Sequence, residues 1–377
     1  MAFSLASIYK NLFPPKDQSY LGLDIGASSI KVVQLTRKHG RAVLETYGEI
    51  ALGPYDGKEM GKAMNISADK IAEAINDLCK ESSVTANQTA VAIPFVSSLV
   101  SLIEMPTSDP KQLAQMVPIE ARKYIPVPMS EVLMDWSIVP KEAKTFPYGN
   151  EDSNRLNPVL NKIEKTDVMV VAIHNDTINK FQEVVSKTKL NAAFYEIEMF
   201  STIRALLDQN SRSVMIADMG AGSTKLYIVE RGVIKNSHLV NRGSQDMTIA
   251  LSKTLGISFA EAEILKRSTD ISAHGADPNV VSVVDLTLDY IFAEANQVLL
   301  SYEKRYNRTV DQIMLIGGGA LLHGILPTAK RNFQIDVSLG EPFSKVESPA
   351  FLRNLLKSAN PEFSVAVGAA LRMLQES

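Results

Sequence analysis

The sequence lacks the features that mark secreted, membrane-spanning and nucleic-acid-binding proteins. Its 377 residues include one cysteine, Cys79, so no intrachain disulfide can form, and an apolar helical pattern around it predicts a buried thiol. No apolar run approaches the roughly 18 residues that cross a bilayer. The 39 Lys and Arg residues are scattered and the net charge is −3, which disfavours a nucleic-acid partner. We expect a cytoplasmic protein with no transmembrane segment of its own.

Several catalytic signatures are also missing. No Gly-x-x-x-x-Gly-Lys-Ser/Thr motif occurs, which excludes a P-loop protein, and the run Gly220–Lys225 lacks the third glycine of a dinucleotide fingerprint. The five histidines form no local metal-binding spacing, and no nucleophile elbow is present. The function must therefore be sought in other patterns.

An internal near-repeat heads each half of the chain. DIGASSIK begins at Asp24 and DMGAGSTK begins at Asp218, so five of eight positions are identical at an offset of 194 residues. Each copy follows an apolar strand, contains a turn of small residues and leads into a second strand, Lys31–Leu35 or Lys225–Val229. The repeat predicts two similar lobes. Chance similarity of two hairpins is the poorer explanation, because five of eight residues are identical at two tight turns.

Strand and helix patterns alternate along the rest of the chain, which predicts an α/β architecture with sheets flanked by helices. The segment Lys141–Thr166 has little periodicity and is predicted to be a mobile hairpin tip. The predicted strands are Val91–Ile93, Leu99–Glu104, Val132–Val139, Asp167–Ile173 and Gln312–Ile316. The predicted helices are Ala63–Ser82, Pro110–Tyr124, Thr177–Thr188, Phe200–Asp208, Gln245–Leu255, Ser258–Ser268, Val284–Tyr306 and Val365–Leu374.

The two turns have the chemistry of a phosphate clamp. Glycine lets the backbone approach a ligand closely, and successive turn N–H groups form a concavity that binds anions. The aspartate at each strand end, Asp24 or Asp218, can hold Mg²⁺ through water. Two facing hairpins of this kind would hold the phosphates of a nucleotide from both sides.

Two further features suit the other end of a nucleotide. Gly317-Gly318-Gly319 follows an apolar strand and could lie against a base or ribose, although a structural turn is an equal alternative. Ser258 and Glu261 form a capping box that starts a helix. On that helix Glu263 and Lys266 share a face, where they could bond ribose and border the base, or simply form a solvated ion pair.

Several runs of residues resemble a known family. They are VAIP from Val91, EARKYIPVPMSEVLMDW from Glu120, YEIEMF from Tyr195, AEILK from Ala262 and FSVAVGAALR from Phe363. In this order, over roughly residues 19–374, they resemble the superfamily of actin, sugar kinases and FtsA, and within it the PilM family of type IV pilus assembly proteins.

The resemblance implies a two-lobed actin-like (RNase H-like) α/β fold with an FtsA-type inserted subdomain, which binds ATP and Mg²⁺. It implies the following divisions: N-terminal arm 1–18, lobe 1A 19–88, insert 1C 89–174, lobe 1A continued 175–211, lobe 2A 212–256, subdomain 2B 257–310, lobe 2A continued 311–362, and a closing helix 363–377 on 1A. Phosphate roles fall on Asp24, Gly26, Ser28, Ser29, Lys31, Asp218, Gly220, Gly222, Ser223 and Thr224. Nucleoside roles fall on Glu263, Lys266, Gly317, Gly318 and Gly319.

A residue that orients the attacking water is hard to assign. The family usually has Asp where this chain has Glu196, so Glu198 is the better candidate. Neither glutamate has a histidine nearby in sequence, and we therefore expect slow or no ATPase activity.

The resemblance also implies a partner. PilM-like proteins sit on the cytoplasmic face of the inner membrane by binding the N-terminal tail of PilN, beside other pilus platform proteins. We predict the groove in the insert Ala90–Ile173 and the first lobe, with Phe95 and Tyr124 as candidate contacts, although such residues could equally form the insert's own core. The N-terminal arm around Phe3–Phe13 is a second candidate contact, although an arm that packs on its own domain is the favoured alternative.

Other functions remain open on the sequence alone. The alternatives are an FtsA-like cell-division protein, a small-molecule kinase with the actin-like fold, and binding without turnover as in the secretion protein GspL. A kinase would need a positioned carboxylate base and a substrate pocket, and no Asp-bearing signature beyond the two hairpins stands out.

Overall fold

The computed structural model describes residues 18–139, 165–208 and 212–376. The N-terminal arm therefore lies outside the described residues apart from Gln18, as does the predicted tip Lys141–Thr166 apart from its last two residues. Within these ranges no helix is long and apolar enough to cross a membrane.

The order of elements alternates strands and helices, as the sequence predicts. The strands are β1 Ser19–Ile25, β2 Ser29–Lys38, β3 Arg41–Ala51, β4 Gln88–Ile93, β5 Ser98–Met105, β6 Val132–Ile138, β7 Thr166–His174, β8 Asn191–Ile197, β9 Val214–Met219, β10 Thr224–Glu230, β11 Val233–Val240, β12 Gln312–Ile316 and β13 Asp336–Leu339. The helices are α1 Ala68–Glu81, α2 Pro110–Ala121, α3 Asn175–Ser186, α4 Glu198–Leu206, α5 Ser244–Leu255, α6 Phe259–Ser268, α7 Pro278–Tyr306, α8 Ile325–Asn332, α9 Arg353–Ala359 and α10 Ser364–Glu376.

Two five-stranded sheets have the same topology, which accounts for the repeat in the sequence. One has the order β3-β2-β1-β4-β8 and the other β11-β10-β9-β12-β13. In each sheet the central strand is antiparallel to the next strand in sequence and parallel to a later one. Each repeated turn joins the first two strands of its own sheet. The predicted pair of similar lobes is confirmed.

The chain divides into two compact units. The larger contains the chain up to Phe95 and from Asn179 onwards, including both five-stranded sheets. The smaller, Val96–Ile178, has the three-stranded antiparallel sheet β5-β7-β6. Helix α2 covers one face of that sheet and encloses a core with Leu113 and Val117 at its centre. The assignment of lobes 1A, 2A, 2B and insert 1C by residue number stays a prediction.

The closing helix α10 packs closely against the first sheet. An added Cβ at Gly22 of β1 would lie 2.0 Å from the carbonyl oxygen of Ala366, and one at Gly368 would lie 1.8 Å from that of Ser201 in α4. Both glycines are therefore required by close approach of backbones rather than by turn geometry.

Most element boundaries differ from the sequence-based ones by a few residues. The predicted helix 63–82 begins only at Ala68, because Ser67 caps it, and helix 284–306 begins earlier, at Pro278, because Asp277 caps it. The capping box of Ser258 and Glu261 is present as predicted. Strands β3, β8, β11 and β13 have no counterpart in the prediction.

Candidate functional site

The two repeated turns have the same backbone geometry. The N–H of Gly26 donates to the carbonyl of Ser29 at 3.0 Å, and the N–H of Gly220 donates to the carbonyl of Ser223 at the same distance. A Cβ on either glycine would lie 3.0 Å from that acceptor oxygen, so a larger residue would disturb the turn.

The tips of both turns offer backbone donors to a ligand. Within the described chain the N–H groups of Ala27 and Ser28 in the first turn, and of Ala221 and Gly222 in the second, donate to no other atom. Consecutive unused N–H groups of this kind suit the oxygens of a phosphate. This geometry is what the predicted phosphate roles of both turns require.

In the first hairpin a carboxylate is left unpaired. Asp24 on β1 pairs in register with Lys31 on β2. The Lys31 ammonium, however, bonds the Oγ of Ser29 at 2.8 Å and a carboxylate oxygen of Glu49 at 2.9 Å. The carboxylate of Asp24 has no hydrogen bond or ion pair to any described residue, and burial raises its pKa to about 7.

In the second hairpin the equivalent lysine turns the other way. Lys225 donates to Oδ2 of Asp218 at 3.0 Å and to Oε2 of Glu198 at 3.1 Å. Burial alone would lower the pKa of Lys225, but the two carboxylates outweigh it and the pKa is raised. The other carboxylate oxygen of Glu198 accepts from the N–H of Phe95 at 2.7 Å.

These contacts decide how well the residues fit Mg²⁺. Asp24 fits the predicted role of holding the ion through water, because its carboxylate has no partner among the described residues. Asp218 does not fit it, because an ammonium already occupies the space beside its carboxylate. In the described part of the chain no three His, Cys, Asp or Glu side chains could together hold a metal.

The glycines after β12 have separate roles. Gly317 has a φ of +81°, and a Cβ there would lie 2.5 Å from Oδ1 of Asp218. A Cβ at Gly319 would lie 2.8 Å from the Cβ of Met219. These two glycines accommodate strand β9, whereas a Cβ at Gly318 would meet no atom within 4 Å, so Gly318 is the one that faces open space.

Glu263 and Lys266 form a buried network rather than the solvated pair considered from the sequence. Glu263 accepts from Lys266 at 2.7 Å, from Thr248 at 2.6 Å and from Arg267 at 2.7 Å. Lys266 also donates to the carbonyl of Ser244 at 3.1 Å. Their polar atoms are thus used by the protein itself, and contact with a nucleoside stays a prediction.

A loop to which the sequence assigns no role runs between the two sheets. The N–H of Ala63 donates to Oε1 of Gln245 at 2.9 Å. A Cβ added at Gly222 would lie 3.0 Å from the Cβ of Ala63. Close by, a Cβ at Gly61 would lie 2.9 Å from the carboxyl carbon of Glu263. Sequence reasoning misses Gln245 because nothing local marks a contact between residues 182 positions apart.

Glu196 is held in a structural network. Its carboxylate accepts from both Arg204 and Arg372 and from the hydroxyl of Ser201. All of these partners lie on α4 or α10, so Glu196 ties the closing helix to the first sheet. Glu198 stays the candidate for water orientation, although Lys225 holds its carboxylate.

The two candidate partner contacts lie in different settings. The Phe95 side chain is 9% exposed and belongs to the larger unit, so in this structure it is a core residue. Tyr124 is 47% exposed on the smaller unit, where Ile119 is 65% exposed. A role for either in binding a partner stays a prediction.

The chain is similar to known proteins over most of its length. The family model for the type IV pilus assembly protein PilM matches residues 22–374. The cell division protein FtsA of Neisseria meningitidis is 22% identical over 384 residues, covering 94% of this chain and 90% of that protein. FtsA of Streptococcus pneumoniae is 23% identical over 364 residues, covering 88% of this chain and 78% of that protein.

Solved structures share the fold. The PilM–PilN type IV pilus biogenesis complex matches with a TM-score of 0.77 at 21% identity, covering 95% of this chain and 99% of that chain. MreB5 of Spiroplasma citri bound to AMPPNP matches with a TM-score of 0.52 at 13% identity, covering 96% of this chain and 98% of that chain. The predicted two-lobed actin-like fold is confirmed by these likenesses.

Proposed function

The chain belongs to the PilM family of type IV pilus assembly proteins, and we propose that it is an ATP-binding component of the pilus assembly platform at the inner membrane. In this role it works from the cytoplasm and reaches the membrane by binding the N-terminal tail of PilN. The related structure, a PilM–PilN complex, supports the choice of partner.

The duplicated turn is the main support for ATP binding. Two turns with the same 3.0 Å closing bond present unused N–H groups at equivalent ends of two equivalent sheets. Backbone donors of this kind bind phosphate oxygens, and a charge-assisted hydrogen bond is about twice as strong as a neutral one. The shared fold with MreB5, which is bound to AMPPNP, supports the same ligand class.

Isothermal titration with ATP tests the nucleotide site. We expect Gly26→Val and Gly220→Val to lower the affinity at least tenfold, because a side chain at either position would disturb the turn. Gly275→Val is the matched control, since a Cβ there meets no atom within 4 Å. If all three variants bind ATP with equal affinity, the two turns do not bind the nucleotide.

Slow turnover follows from the state of Glu198. Its two carboxylate oxygens bond Lys225 and the Phe95 N–H, so the carboxylate cannot turn towards an attacking water without breaking one of these bonds. We propose that bound ATP sets a conformation rather than fuelling repeated turnover. Steady-state phosphate release on the order of 10 per second, a typical enzyme rate, would contradict this part of the proposal.

The partner is tested with a synthetic peptide of the PilN N-terminal tail. We expect Tyr124→Ala and Ile119→Ala to weaken binding of the peptide, measured by fluorescence anisotropy, because both side chains are exposed on the smaller unit. Leu286→Ala, which truncates a 69% exposed side chain on α7, is the control. Loss in the control alone would place the peptide on the larger unit.

A further inference from the structure

The repeated Asp–Lys pair is used in two different ways. We propose that the Lys225 ammonium takes the place of a divalent cation between Asp218 and Glu198, so that this carboxylate pair binds no metal. The proposal concerns the cation chemistry of the site and rests on the proposed function only where nucleotide is added.

The difference between the two lysines follows from strand register. Lys31 lies opposite Glu49 on β3, and that carboxylate binds its ammonium at 2.9 Å. Lys225 lies opposite Leu239 on β11, which offers no charge. Side chains that are directly opposite on neighbouring antiparallel strands share a face of the sheet. Lys225 therefore has no partner on β11 and reaches the carboxylates of Asp218 and Glu198 instead.

The contacts of the two carboxylates leave no room for a metal between them. Asp218 and Glu198 each direct one oxygen at Lys225, at 3.0 and 3.1 Å. The remaining oxygen of Glu198 accepts the Phe95 N–H, and that of Asp218 lies beside Gly317. A divalent ion would need these same inward-facing oxygens at about 2.1–2.5 Å. It would also stand next to a fixed positive charge.

Lys225 also connects the two halves of the larger unit. Asp218 and Lys225 belong to the second sheet, whereas Glu198 directly follows β8, the edge strand of the first sheet. An intrinsic cation here compensates two carboxylates that would otherwise repel each other. The site therefore keeps its charge balance without recruiting an ion from solution.

Binding of Mn²⁺ to the nucleotide-free full chain, followed by electron paramagnetic resonance, tests the proposal directly. We expect Lys225→Gln to bind Mn²⁺ at least tenfold more tightly than the wild type, because two carboxylates are then left without a cation. Lys253→Gln, which removes an exposed lysine of α5, is the control for the loss of one positive charge, and it should bind Mn²⁺ as the wild type does. Wild-type Mn²⁺ affinity equal to that of Lys225→Gln would overturn the proposal.

A second variant keeps the lysine and moves it. Leu239→Glu gives Lys225 the same opposite partner that Glu49 gives Lys31, and it should raise Mn²⁺ affinity at least tenfold. Leu239→Gln has nearly the same shape without the charge and should bind Mn²⁺ as the wild type does. If the Gln and Glu variants gain equally, the effect is steric and the proposal fails.

Nucleotide titrations separate this inference from the proposed function. We expect the ratio of ATP affinities in Mg²⁺ and in EDTA to be at least tenfold larger for Lys225→Gln than for the wild type, in which Asp24 but not the Asp218–Glu198 pair can hold the ion. A wild type that binds no ATP under either condition contradicts the proposed function, while the Mn²⁺ results still decide the role of Lys225. An equal dependence on Mg²⁺ in the wild type and in Lys225→Gln would contradict the inference.

Discussion

Replacing Asp24 by Asn should stabilise the protein while removing part of its candidate site. Burial raises the pKa of Asp24 to about 7, from 3.8 in an unfolded chain, and no described residue pairs with the carboxylate. The folded protein therefore holds a proton that the unfolded chain has released, so this group's contribution to stability falls as the pH rises from about 4 to about 7. Above pH 7 the loss is constant.

The size of the effect follows from the shift. Each pKa unit corresponds to about 1.4 kcal/mol, so the whole shift sets a ceiling of about 4 kcal/mol. Water at the open side of the site screens the charge, and we expect about half of the ceiling. Asp24→Asn should thus raise the free energy of unfolding by about 2 kcal/mol at pH 8 and leave it almost unchanged at pH 4.

The assay is urea unfolding in EDTA without nucleotide, followed by far-UV circular dichroism. Tryptophan fluorescence is unsuitable, because the single tryptophan, Trp136, lies in the smaller unit and Asp24 in the larger. Asp218→Asn is the control at the equivalent position, and it should destabilise by about 1–3 kcal/mol because Lys225 loses a buried partner. If both variants lose stability at pH 8, the reasoning about Asp24 is refuted.

Three further predictions concern packing and burial. Gly368→Ala should destabilise by about 3 kcal/mol in urea unfolding, because its Cβ would lie 1.8 Å from a backbone oxygen of α4, while Gly275→Ala should have little effect. Cys79 is half-buried rather than buried as predicted, and this partial burial still raises its pKa to about 11, so alkylation by iodoacetamide at pH 8 should be about a hundredfold slower than for a free thiol, and a fast reaction would contradict the raised pKa. Lys266→Met should cost about 3 kcal/mol by removing the buried one of the two cations that pair with Glu263, and the double variant with Glu263→Met should recover most of the loss.

The large features of the fold could be predicted from the sequence because they depend on local pattern. The repeat at Asp24 and Asp218 indicates two equivalent sheets, and the capping box at Ser258 marks a helix start within one residue. Strand β3 escapes prediction because its burial does not alternate cleanly, so its pattern lacks the period of two that marks a half-buried strand. The contact of Gln245 with Ala63 could not be predicted, because the two residues are 182 positions apart in the sequence.

What the repeat could not predict is the direction in which each lysine points. The two eight-residue copies are alike in Asp, Gly, Ala, Ser and Lys, but the third strand of each sheet places a different residue opposite the lysine, Glu49 in one case and Leu239 in the other. This single difference leaves Asp24 unpaired, at a cost in stability, and gives Asp218 a permanent counter-charge. Duplicated hairpins can therefore divide their work: one keeps a carboxylate available to a ligand, and the other uses the same residue types to hold two sheets together.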